Sequence, residues 1–177
     1  MLKFFKIFVK NEEATTAIEF SLLAAPYLLL TLGIIELSIM YASASLLEGA
    51  TSSAARAVRT GQIQQSGGDP EAEFRDRMCD YATVLIDCND VIIEVQQMAS
   101  FGDFGGMAPS YDGDGNLVSS GVDPGGSGDR VLIRVGYRYQ MMTPLIGPLM
   151  GGPDSSRLFM STIVLQSEPY DFDGAGA

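Results

Sequence analysis

Hydrophobic and polar positions are unevenly spread along this chain. No charged residue occurs from Phe20 to Ile35, and after Glu36 the apolar character resumes to about Tyr41. As a helix, Phe20 to Tyr41 rises about 33 Å, close to the roughly 30 Å hydrocarbon core of a bilayer. The pattern predicts a transmembrane helix; the alternative is a buried core helix of a soluble protein. Pro26 removes one backbone donor and frees the carbonyl of Leu22, which predicts a mild kink. Glu36, about 25 Å along the helix from Glu19, reads as a boundary residue at the outer interface, with no special role.

The helical pattern continues past the apolar block. Met40, Ala44, Leu47, Ala54 and Val58 recur at helical spacing, beside a polar track of Ser45, Glu48, Ser52, Arg56 and Arg59. Gly61 is a plausible stop. The prediction is one helix over residues 15–60, membrane-embedded first and amphipathic afterwards, whose apolar stripe needs a partner. Another helix or the protein's own sheet fits equally well. Ala42, Ala44, Ala50, Ala54 and Ala55 would admit close approach in either case.

Residues 61–177 read as an extracytoplasmic α+β domain. After QIQQSGG a second helix opens with Asp69 as cap, Pro70 at the first position, and Glu71 and Glu73 at the positive end of the helix dipole. Phe74, Met78 and Tyr81 are placed on its apolar face. Val91–Val95 reads as a strand. Residues 101–130, rich in Gly, Asp and Ser, read as a long surface loop or partly disordered insert. Val131, Ile133, Val135, Tyr137 and Tyr139 alternate with Leu132, Arg134, Gly136, Arg138 and Gln140, a strand with one apolar face. TPLIGPLMGGPDSS then leads to a last strand over Leu158–Leu165. Three strands, mostly adjacent in sequence, predict an antiparallel sheet.

Charge and composition narrow the chemistry. Among 177 residues, 22 acidic side chains against 11 basic ones give a net charge of −11, opposite to what a nucleic-acid surface requires. There is no histidine, so the commonest general base and the commonest metal ligand are missing. No phosphate-binding or dinucleotide motif occurs, and the free acids that cluster sit in a glycine-rich loop, a poor frame for paired-carboxylate catalysis. The expectation is a structural protein without a cofactor, and not an enzyme. Cys79 and Cys88 read as a disulfide in an oxidising compartment, worth about 2–3 kcal/mol for so short a loop. Two reduced, partly buried thiols are the alternative. Asp112, Asp114, Asn116 and Asp123 fall at calcium-loop positions, but Leu117 stands where glycine is needed. The other reading is a solvated acidic turn.

Lys3, Lys6 and Lys10 precede the apolar block and orient the N-terminus toward the cytoplasm. Between them and the helix stands NEEATTAIEF, with Glu19 at the membrane edge, where an ionised carboxylate is unfavourable without a partner. These residues, continued by SLLAAPYLLLTLGIIELSIMYA and LLEGATSSAARAVRTG, resemble the N-terminus of type IV pilins, and more closely the TadE-like family of minor pilins from tight-adherence (Flp) pilus systems. The resemblance covers roughly Asn11 to Gly61 and extends loosely to Cys79 and STIVLQSEPY. It implies a leader over residues 1–14, cut by a prepilin peptidase between Ala14 and Thr15, with Glu19 fifth in the mature chain and followed by Phe20. The residue before the cut is normally glycine in that family and is Ala14 here. Independently of the family, the new α-amino group at Thr15 would lie one turn from Glu19, and the two charges attract strongly in low dielectric. The resemblance further implies a single-pass protein of the bacterial inner membrane, with its C-terminal domain periplasmic. The implied partners are the peptidase, a companion minor pilin, the major pilin and the assembly platform. The rival is a secreted or membrane-anchored acidic binding protein, with a signal peptide ending at Ala42-Ser43-Ala44.

Overall fold

The computed structural model of this chain describes residues 12–82 and 84–170, with side chains from Thr16 onward. Lys3, Lys6 and Lys10, on which the expected orientation rests, lie outside the described residues. Helix α1 (Glu12–Arg59) continues unbroken through Pro26. It ends where the Gly61 N–H reaches back to the Val58 carbonyl at 3.2 Å, with Gly61 at φ 74°, a left-handed conformation that glycine adopts without a Cβ penalty. A single turn, α2 (Gln62–Gln65), occupies part of the expected linker. Helix α3 (Pro70–Ala82) starts as its sequence dictates, with the Asp69 carboxylate accepting from the Ala72 N–H at 3.3 Å. Its buried face is Phe74, Met78 and Ala82; Tyr81, assigned to that face from the sequence, is exposed.

Three strands form the main sheet: β1 (Ile92–Met98), β4 (Arg130–Gln140) and β5 (Ser156–Gln166). They are antiparallel with β4 at the centre, Val95 opposite Ile133 and Ile133 opposite Ile163. The fold is therefore α+β. Between β1 and β4 lies a small ribbon, β2 (Ser110–Tyr111) and β3 (Leu117–Val118); between β4 and β5 lies the short helix α4 (Gly147–Gly151).

The stripe on the second half of α1 is covered by the chain itself. Leu47, Ala50, Ala54 and Val58 are buried with Phe74 and Met78 of α3 and with Val131, Ile133 and Val135 of β4 in one cluster. Each large side chain buried this way contributes roughly 1.5–3 kcal/mol, so this cluster joins the helix to the sheet. The alanines let α3 and the sheet approach α1 closely, while Ala42 stays exposed.

The polar face of β4 is covered as well. Residues 101–130 fold back across it instead of forming a disordered insert. Leu117 is buried against Gly136, where an added Cβ would come within 3.1 Å of it. Val122 bridges to Val95 along the outer edge of β1, with Val95 N–H to Gly121 O at 3.0 Å and Asp123 N–H to Val95 O at 2.9 Å. Beneath this cover Arg134 pairs with Glu94, its cross-strand neighbour, at 2.9 Å, and both are buried. Arg134 also donates to the Met107 carbonyl. The helices thus lie on one face of the sheet and the glycine-rich segment on the other.

Candidate functional site

The first half of α1 is almost free of contacts. Phe20, Leu22, Leu23, Tyr27, Leu30 and Ile34 are exposed, and the helix is long and apolar enough to cross a membrane. Three of its hydroxyls are satisfied internally: Ser21 donates to Ala17 O, Thr31 to Tyr27 O and Ser38 to Ile34 O, at 2.7–2.9 Å. That is the arrangement a helix needs where no water is available. Glu19 and Phe20 are exposed within this stretch. Glu19 has no hydrogen-bond or ionic partner among the described residues. Ala14 and Thr15 lie in the first turns of α1, and their side chains lie outside the described residues.

Glu36 occupies a built site, contrary to the reading of it as a bystander at the boundary. It is 3% exposed. Its Oε1 accepts from the Tyr139 hydroxyl at 3.1 Å and the Met142 N–H at 3.0 Å; its Oε2 accepts from the Thr143 N–H at 3.1 Å and the Thr143 hydroxyl at 2.7 Å. These donors are neutral, and two of them belong to the backbone that leaves β4. Burial, followed by the hydrogen bond to Glu36 and its charge, pushes the Tyr139 phenol up to about 12, so it remains a protonated donor. One turn below, an added Cβ on Gly33 would sit 3.2 Å from Ile146 Cδ1. The β4–β5 connection is therefore seated on α1 between Gly33 and Glu36. A signal was present in the sequence: Glu36, Ser43 and Leu47 share one face at spacings of seven and four, and all three are buried.

A groove of about 980 Å³ separates the outward face of α1 from the edge of β5. Tyr41, Ser45, Gly49 and Ser52 line one wall, and Leu158 to Ile163 line the other. β4 is the only strand hydrogen-bonded to β5 among the described residues, so the outer edge of β5 is open there.

The remaining candidates separate. Cys79 and Cys88 form a disulfide that ties the last turn of α3 to the turn before β1. Arg75 reinforces the same junction by donating to the Cys88 and Val91 carbonyls at 2.7 and 2.8 Å. The calcium candidates do not converge. Asp112 accepts from the Asp114 N–H, the Asn116 N–H and the Asn116 amide at 2.8–3.0 Å, which closes the β2–β3 turn. Arg138 donates to the Asn116 side chain and to the Asp114 carbonyl, filling with a guanidinium the place a cation would need. Asp123 instead accepts from Gln97 at 3.0 Å, beside β1. Among the described residues no group of three or more His, Cys, Asp or Glu is arranged to hold a metal.

Residues 14–56 match the family model described as TadE-like protein. The match covers 43 of the 177 residues (14 to 56 inclusive), from the apolar half of α1 into its packed half. Among the described residues one N-terminal helix is long and apolar enough to span a membrane, which is compatible with a single-pass membrane protein. No curated protein and no solved structure matches the chain.

Proposed function

We propose, with its TadE-like N-terminal segment as premise, that this chain is a minor pilin or pseudopilin serving the assembly of a tight-adherence pilus. In this reading the role is structural and non-catalytic. The first half of α1 sits in the inner membrane with its N-terminus cytoplasmic, and the packed half carries the α+β domain on the periplasmic side. A prepilin peptidase cuts between Ala14 and Thr15, and a companion minor pilin, the major pilin and the assembly platform are the partners. The observation that carries this reading is the continuity of α1. The bare apolar half and the half that forms the core are one helix, joined at the Glu36 site. A signal-peptide cut after Ala44 would remove Glu36 and strand four hydrogen-bond donors of the domain, which argues for a retained helix.

Glu19 is then the assembly residue, its carboxylate pairing with the α-amino group of Thr15 in the same subunit or a neighbour. Glu19→Ala protein is expected to fold normally, because Glu19 touches nothing else in the domain, and to be lost from the pilus fraction. Immunoblotting of sheared pili against whole-cell extracts checks this. Wild-type incorporation of the variant sinks the role.

A further inference from the structure

The β4–β5 connection presents a patch that neither the core nor the groove uses. Leu149 is 85% exposed, Leu145 and Met142 are each 66% exposed, and Val84, which lines the same shallow hollow as Met142, is 84% exposed. From Met141 to Pro153 no residue is charged, in a chain of net charge −11. In water such a cluster is unfavourable, and it needs an occupant.

Its position on α1 identifies the occupant. The connection is held at Gly33 and Glu36, and Glu36 lies about 30 Å along the helix from Thr16. A bilayer core that begins at Thr16 ends at this patch; one that extends to Tyr41 places the patch inside it. Much of the backbone there is satisfied internally, the Leu145 N–H excepted. Ile146 and Gly147 donate to the Thr143 carbonyl at 3.1 and 2.8 Å, and Leu149 and Met150 each donate to the Ile146 carbonyl at 3.1 Å. Thr143 N–H is taken by Glu36, while Pro144 and Pro148 have no N–H to satisfy. Arg157, exposed, donates to the Met150 carbonyl at 2.9 Å, and with the exposed Asp154 and with Asp87 of the hollow it gives the patch a charged rim.

We propose that the Met142–Leu149 segment, with Val84 beside it, is a membrane-interface anchor inserted into the headgroup–acyl boundary of the bilayer that α1 crosses. The inference rests on the reading of α1 as a membrane span. A lone helix leaves the domain free to rotate and tilt about its axis. A second apolar contact fixes which face of the domain, and so which wall of the β5 groove, points away from the membrane.

The chain contains no tryptophan, so one introduced tryptophan is a unique reporter. Full-length Leu149→Trp, Tyr27→Trp and Phe104→Trp proteins would be reconstituted in phosphatidylcholine–phosphatidylglycerol vesicles with brominated acyl chains. Phe104 follows β1, whose end pairs with the start of β4, about 30 Å from the Gln140 end that feeds the anchor. The anchor predicts that Leu149→Trp loses about half its emission to bromines near the headgroups, as for a side chain about 5–10 Å into the boundary. Tyr27→Trp should be quenched most by deep bromines, and Phe104→Trp by neither. If Tyr27→Trp is quenched and Leu149→Trp behaves like Phe104→Trp, the anchor is overturned while the span stands. Unquenched Tyr27→Trp overturns both. Blue-shifted but unquenched Leu149→Trp emission overturns the lipid anchor and assigns the patch to a protein contact.

Discussion

Replacing Glu36 with alanine is expected to destabilise the full chain by about 3 kcal/mol and to release the β4–β5 connection from α1. The wild-type carboxylate accepts from two hydroxyls and two backbone N–H groups while almost wholly buried. A buried donor left without an acceptor costs about 1–3 kcal/mol, and partial relaxation of the connection toward solvent keeps the total below the sum. Glu36→Gln should fall between the two, since the amide keeps one acceptor oxygen but turns an NH₂ group toward donors. Thermal unfolding of the three proteins in detergent checks the order. Limited proteolysis should show new cleavage between Met141 and Ser155 in the alanine variant. If Glu36→Ala matches wild type in both, the carboxylate does not hold the connection.

The second large effect is expected at the buried pair behind the sheet. Arg134→Met leaves Glu94 ionised in a buried site with only neutral donors, Gln96 and Ser120, at a cost of about 3–5 kcal/mol. For a chain of this length that lowers Tm by roughly 10 °C. The double replacement Glu94→Leu with Arg134→Met removes both charges and should recover much of the loss. Burial alone would raise the Glu94 carboxyl, but Arg134, the Ser120 hydroxyl and N–H, and Gln96 together outweigh it and hold it below the usual carboxylate range. A lowered folded value means that the stabilisation is present above the unfolded carboxyl range and is lost as pH falls through the folded value. Wild type should therefore lose more Tm on acidification than the double variant. Equal acid sensitivity of the two would argue against this pair as the source.

Both sites show what periodicity can and cannot carry. The long helix, the Asp69–Pro70 start of α3 and the alternation of β4 are local signals, and the structure has all three. The alternation of β4 distinguishes two faces, yet it does not say that the polar face is solvated. Arg134 and Arg138 read as outward residues, but residues 101–130 return to cover them, through contacts more than twenty residues apart in sequence. A glycine-rich stretch looks unable to bury anything; here Leu117 is buried against Gly136, Pro124 is buried too, and backbone hydrogen bonds tie the stretch to β1. Glu36 was legible as a charge in an apolar run, and its helical face matched Ser43 and Leu47. Its partners were not legible, because Tyr139, Met142 and Thr143 lie more than a hundred residues away. Glu19 is the opposite case: its expected partner is an amino group that exists only after cleavage.

In the proposed reading α1 is retained and cut at its cytoplasmic end, between Ala14 and Thr15. The intact mass of the chain recovered from membranes of the native host, disulfide included, tests this most directly. The expected mass begins at Thr15. A chain beginning at Ser45, which would lack Glu36 and the whole bare half of α1, or one still beginning at Met1, would contradict it.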